Sequence, residues 1–322
     1  MRYRLFGTTK LKVSEIGYGG WGIGGNIGES KAYGPTNDKD SLLSLNLSFD
    51  KGVNFFDTSP LYGFGHSEKL IGEAFKTQRK NIIIATKVGY TNYKGDQNFS
   101  SNYIEESVNA SLKRLKTDYI DILQLHDISY HYIENNPEIF TILENLKKKG
   151  KCNFFGFSTK THEDTSKIID KKKFHCVQLN FNLIDQRAHE NNLFEQCTKN
   201  KIAIIGRTPL CFGFLTGQYN TETIFHADDH RSRWSKEQID LWSQSYNLFI
   251  NKIKNLESQT AAQIALRFCL SFKDISTVIP GMLNTNHVEE NLQSSEFGPF
   301  SLNTIDEFKK IYNENSFFIN TK

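Results

Sequence analysis

Short β-type runs near 16–18, 53–56, 82–86, 120–125, 153–157, 176–180, 202–206 and 276–279 recur along the chain, with segments of helical period between them. This alternation constrains the fold most, because strands joined by helices pair in parallel. Ile104, Val108, Leu112 and Leu115 make one helical stripe, with Ser100 placed to cap it. Ile139, Ile142, Leu143 and Leu146 make a second, with Gly150 as its stop. Ile264, Ala265, Phe268 and Cys269 make a third. Strand then helix, about eight times over, predicts a (β/α)8 TIM barrel, an α/β fold, as one domain over residues 1–322. A doubly wound sheet is the rival, but Gly17-Tyr18-Gly19-Gly20-Trp21-Gly22 does not match GxGxxG in register. Tyr3-Arg4-Leu5 and Leu11-Lys12-Val13 flank Gly7-Thr8-Thr9-Lys10 as an N-terminal β-hairpin able to plug the barrel floor. Residues 212–258 form an insertion plus helix between strands seven and eight.

Composition narrows the partners. The chain is 38% hydrophobic and 23% charged, with 39 basic against 36 acidic residues. That balance, with no basic block, argues against nucleic acid. No apolar run approaches the ~20 residues of a membrane span, and Met1 to Gly7 lacks a signal peptide's apolar core. Cys152, Cys176, Cys197, Cys211 and Cys269 include no CxxC pair and predict free thiols in a reducing, cytoplasmic setting.

Three of the apolar runs end in ionisable side chains. Val53-Asn54-Phe55-Phe56 leads into Asp57, Ile82 to Thr86 into Lys87, and Ile120 to Leu125 into His126. Tyr62 follows five residues after Asp57. In a barrel these positions lie at the mouth on one arc, where active sites are built. A lysine beside a tyrosine lowers the phenol pKa, a carboxylate holds the lysine charged, and a histidine orients a substrate oxygen. The set suits protonation of an oxygen that gains charge, as a carbonyl oxygen does when hydride reaches its carbon. The hydride must come from a nicotinamide cofactor. No metal cage is offered. Asp228, Asp229, His230 and Arg231 read as loop salt bridges, and Asp121 with Asp127 makes a weak case for a carboxylate hydrolase.

The chain resembles the aldo/keto reductase superfamily, in its bacterial-type branch, over essentially its whole length. The family's Asp, Tyr, Lys and His tetrad maps onto Asp57, Tyr62, Lys87 and His126. Gly20 and Trp21 lie in a stretch like the first-strand motif, where backbone and aromatic ring meet nicotinamide and substrate. The resemblance implies that Ser158 and Gln178 bind the carboxamide and that Phe181 stacks on the nicotinamide, with Asp57 also near the cofactor. Arg207, Thr208, Pro209, Leu210, Gly213, Leu215 and Gly217 resemble the loop that covers the pyrophosphate, with Arg207 neutralising charge. Pro280, Gly281, Met282, His287, Glu290 and Asn291 resemble the adenosine end. Thr159 stands where the family usually has Asn, and His287 where NADPH-specific members often have Arg.

The resemblance implies an NADP-dependent aldo/keto reductase that reduces an aldehyde, ketone or sugar carbonyl to the alcohol, or catalyses the reverse oxidation. NADPH is the expected cofactor, with NADH possible. Trp21, Tyr90, Tyr93 and Trp234 are candidate walls for a small-molecule carbonyl or sugar substrate. The alternative is a non-catalytic nicotinamide-cofactor-binding regulatory subunit. Substrate and oligomeric state are not legible in the sequence.

Overall fold

The computed structural model describes residues 1–250 and 259–319. A hairpin of β1 (Tyr3–Leu5) and β2 (Lys12–Ser14) precedes an eight-stranded sheet. The sheet runs β3 (Tyr18–Gly19), β4 (Phe55–Asp57), β5 (Ile83–Val88), β6 (Ile120–Leu125), β7 (Cys152–Ser158), β8 (Cys176–Asn180), β9 (Ala203–Arg207) and β10 (Ile275–Val278), each parallel to the next. Parallel bridges Ile16 to Val278 and Gly19 to Gly281 join first strand to last and curl the sheet into a barrel. Gly19 permits that closure: a Cβ there would lie 2.5 Å from the Ile279 carbonyl oxygen.

The pleat sorts each strand into two faces. Phe55, Ile83, Ala85, Ile122, Cys176, Ala203 and Ile205 face the barrel interior, where Phe6 and Val13 of the hairpin join them. Phe56, Ile84, Leu123, Phe155, Val177 and Ile204 face the helices in the larger outer core. Burial on both faces is why the strands read as nearly continuous apolar runs. The hairpin closes the floor, and each fully buried side chain of this kind contributes roughly 1.5–3 kcal/mol.

The helix Ser101–Leu115 starts at Ser100, whose hydroxyl accepts from the Tyr103 amide, and buries Ile104, Val108 and Leu115. The helix Ile139–Lys148 buries Ile139, Leu143 and Leu146, and Gly150 follows it at φ 71°. Between β9 and β10 lie short turns at Cys211–Thr216 and His230–Arg233 and the helix Lys236–Ile250. Residues 251–258 of the expected insertion lie outside the described residues. The Arg231 guanidinium donates to the Asp229 carboxylate and the Tyr219 hydroxyl, and a bridge from Asp229 to Tyr33 ties this segment to the loop after β3. All five cysteines are buried and free. Among the described residues no helix is long and apolar enough to cross a membrane.

Candidate active site

Strand parity builds the site. Phe55 and Asp57 share the inner face of β4, Ala85 and Lys87 that of β5, and Ile122 and Gln124 that of β6. Each strand thus carries an apolar side chain low in the barrel and a polar one at its mouth. Asp57 and Lys87 are each 1% exposed. The ammonium of Lys87 places its three protons on Asp57 Oδ1 at 2.5 Å, the Thr58 carbonyl at 2.9 Å and Tyr62 Oη at 3.2 Å. A charged lysine only donates, so Tyr62 Oη accepts from it and keeps its own proton for another partner. The other Asp57 oxygen accepts from the side-chain amides of Gln124 at 2.9 Å and Gln178 at 2.8 Å.

The loop carrying Tyr62 is pinned on both sides. The Tyr93 hydroxyl bonds the Leu61 carbonyl and accepts from the Gly63 amide. Gly63, at φ 60°, passes so close to Gly24 that a Cβ would lie 2.1 Å from its carbonyl oxygen, so glycine is required there. His126 follows β6 directly, 7% exposed, with its Nδ1 3.5 Å from Ser59 Oγ and its ring 4.8 Å from that of Tyr90.

Electrostatics assign protonation states. Burial lowers the Lys87 pKa, but the charge of Asp57, the phenol of Tyr62 and their hydrogen bonds outweigh it, and Lys87 is held above its ordinary value. Burial raises the Tyr62 phenol above its ordinary value, and the opposing charge of Lys87 does not cancel the shift. This corrects the expectation of a lowered phenol: desolvation of the ring outweighs the cation. His126 is pushed down to about 3 by burial and then by the charge of Lys87, so it is neutral at pH 7.

The remaining mouth positions carry a second network. Arg207, on the inner face of β9, donates to Asn180 Oδ1 at 2.8 Å, Asp127 Oδ1 at 3.2 Å and the Thr159 carbonyl at 3.3 Å. It is therefore a residue of the barrel mouth, paired with a carboxylate, and not a free cation on the pyrophosphate loop. Ser158 donates to Asp127 Oδ1 and accepts from the Asp127 amide, both at 2.9 Å, which commits its proton and leaves it only an acceptor lone pair. Burial disfavours the Asp127 charge, but Arg207, His126, Ser158 and Tyr90 more than offset it, and its pKa falls. Asp121 sits at the opposite end of β6, bonded to Arg79, so it forms no acid–base pair with Asp127.

Several expected cofactor contacts are placed elsewhere. Phe181 is fully buried, its ring 5.4 Å from Phe268 and 4.8 Å from both Phe194 and Phe272. It is one residue past inward-facing Asn180, so the pleat turns it to the outer core, and it has no face for a nicotinamide. The side chains of Leu215 and Met282 are likewise core. The amides of Gly213 and Leu215 return to the Leu210 carbonyl, and the Met282 carbonyl accepts from Tyr18 and Ser44. Thr208 and Gly217 turn with positive φ, and Pro209 is buried beside them. Gly20 donates its amide to the Asp57 carbonyl, Trp21 packs 4.4 Å from His230, and the Pro280 carbonyl accepts from Gly19 at the barrel seam. Gly281 is exposed, with open space where a Cβ would be. His287 Nδ1 accepts from the Leu283 amide beside the start of the helix Thr285–Phe297, which also carries Glu290 and Asn291.

Gln124 is a site residue that the sequence reading missed, and Asp127 entered it only as half of the weak hydrolase pair. Parity could have found Gln124, since it stands two positions before His126 on the strand that follows those ending in Asp57 and Lys87.

The aldo/keto reductase family model matches residues 15–313. L-galactose dehydrogenase of Arabidopsis thaliana is 31% identical over 90% of this chain and 86% of its own. The aldo-keto reductase YhdN of Bacillus subtilis is 30% identical over 95% and 92%. The holo form of the aldo-keto reductase AKR11C1 from Bacillus halodurans superposes with a TM-score of 0.80 at 24% identity, over 100% of this chain and 99% of that one. The chain belongs to the aldo/keto reductase family of oxidoreductases.

Proposed function

We propose that the chain is an NAD(P)H-dependent carbonyl reductase in which Tyr62 is the proton donor. The single observation that carries this is the commitment of all three Lys87 protons, one of them to Tyr62 Oη. A nicotinamide cofactor fits the chain: Gln178 Oε1 is left without a partner among the described residues, at the mouth beside the tetrad. A nicotinamide held there by Gln178 would be the source of the hydride that the carbonyl carbon takes up. Tyr62 gives its proton to the carbonyl oxygen, Lys87 stabilises the phenolate left behind, and Asp57 holds Lys87 charged. Neutral His126 donates a hydrogen bond that orients the same oxygen. Aldehydes, ketones and open-chain sugars are the substrate class, with Trp21 and Tyr90 as walls. Turnover of NADPH with a panel of such carbonyls tests the assignment. Tight NADPH binding with no turnover on any of them would favour a regulatory subunit instead.

A raised phenol pKa keeps Tyr62 loaded as an acid at neutral pH, the protonation state that reduction requires. Since His126 protonates only near pH 3, kcat/KM for reduction should stay level from pH 5 to 9. An inflection near 6.5 in that profile would contradict a neutral His126.

NADPH remains our first choice of cofactor, and His287 makes the margin narrow. Burial lowers its pKa, with Glu290 opposing, so it brings no charge to a 2′-phosphate at pH 7. We expect Kd values for NADPH and NADH to lie within about tenfold of each other, ~1.4 kcal/mol. His287→Arg should tighten NADPH by about tenfold and leave NADH unchanged, as read by fluorescence titration.

A further inference from the structure

Gln124 lies on the inner face of β6, level with Lys87 on one neighbouring strand and Gly156 on the other. It is 0% exposed, and Gln178 is 2% exposed. Both side-chain amides meet the same oxygen of Asp57. A carboxylate only accepts, so each amide must turn its nitrogen to Asp57. The Gln124 carbonyl then accepts the second proton of Gln178 Nε2, at 3.2 Å. Gln178 has two amide protons, and Asp57 and Gln124 take both. The plane of its amide is thereby fixed, and its only unused group is the carbonyl oxygen.

We propose that Gln124 is a positioning residue: with Asp57 it locks the amide of Gln178 so that the site presents an acceptor, and not a donor, to the carboxamide of the nicotinamide. This rests on the nicotinamide-dependent reading above. It ties cofactor recognition to the proton-delivery group, because the carboxylate that holds Lys87 also orients Gln178. The site should select cofactors whose pyridine substituent carries an N–H. It should disfavour the acetylpyridine analogue of NADPH, in which a methyl group replaces that NH₂.

The test compares Kd for NADPH and for the acetylpyridine analogue, by fluorescence titration, in the wild type and in Gln124→Met. Wild type should prefer NADPH by on the order of tenfold, one hydrogen bond's worth. In Gln124→Met the Gln178 amide keeps one hold and swings, so NADPH binding should weaken about threefold to tenfold while the analogue changes less than about twofold. A merely structural role would weaken both ligands together. An unchanged preference in a folded variant, or none in the wild type, overturns the proposal. Gln124→Asn, one methylene too short to reach Gln178, carries the same comparison if the methionine variant does not fold. Failure of the wild type to bind any nicotinamide nucleotide would sink the parent reading, a result distinct from binding without discrimination.

Discussion

Tyr62→Phe should lower kcat for carbonyl reduction by about 10²–10⁴-fold, the usual contribution of a positioned general acid. The substitution removes one oxygen and keeps the ring that packs 6.4 Å from His126, so thermal stability and NADPH affinity should hardly change. The hydroxyl is bonded by Lys87 in the barrel mouth. Its loss removes an interaction made only as the substrate oxygen gains charge, so KM should move far less than kcat. Turnover by Tyr62→Phe within threefold of wild type would remove Tyr62 from its assigned role. The same measurement in the oxidative direction is informative. A phenol held above its ordinary pKa by burial is a poor base at neutral pH. Alcohol oxidation should therefore climb toward alkaline pH as the phenol ionises, while reduction falls there.

Lys87→Met should be the more damaging variant for the fold. It deletes a cation that is 1% exposed and leaves the Asp57 carboxylate, also 1% exposed, without its counter-charge. Removing one partner of a buried ion pair costs about 3–5 kcal/mol, because the other charge stays buried. The amides of Gln124 and Gln178 still donate to Asp57, which places the expected loss near the lower end. A lower urea midpoint at unchanged m-value would report it. Adding Asp57→Asn should recover part of the loss, because no unpaired charge then remains. A double variant as unstable as the sum of the single variants would show that the two side chains do not interact. Activity should be lost in Lys87→Met and in the double variant, since nothing then stabilises the Tyr62 phenolate, and should fall in Asp57→Asn, where Lys87 loses the carboxylate that holds it charged.

Much of this was legible in the sequence. The alternation of runs gave the barrel, Gly7 to Lys10 the hairpin, and the polar residues closing three runs the arc of Asp57, Lys87 and His126. These features are local: periodicity and strand ends are written in neighbouring residues. The failures came from relations that are not local. The phenol pKa depends on how much water the barrel mouth excludes, which no spacing encodes. Arg207 was read as part of a loop, whereas it is the last inward position of β9 and finds Asp127, 80 residues away. Phe181 was assigned from resemblance, and counting the pleat from Gln178 would have sent it outward. Gln124 looked like an unremarkable polar residue in an apolar run, and only its pairing with Asp57, two strands away on the inner face, gives it a role.

The two-tier interior has a consequence for how such a chain tolerates change. Phe55 and Asp57, or Ala85 and Lys87, share one face of one strand and stand about 6–7 Å apart along it. Sliding a strand by one residue would turn its polar end into the helix layer. Sliding it by two would preserve inside and outside yet drive a charge down among Phe6 and Val13. Register is thus a catalytic parameter as much as a stability one. Indels should be admitted at the loops above the rim and refused within the staves, so new specificity can arise only from the rim upward.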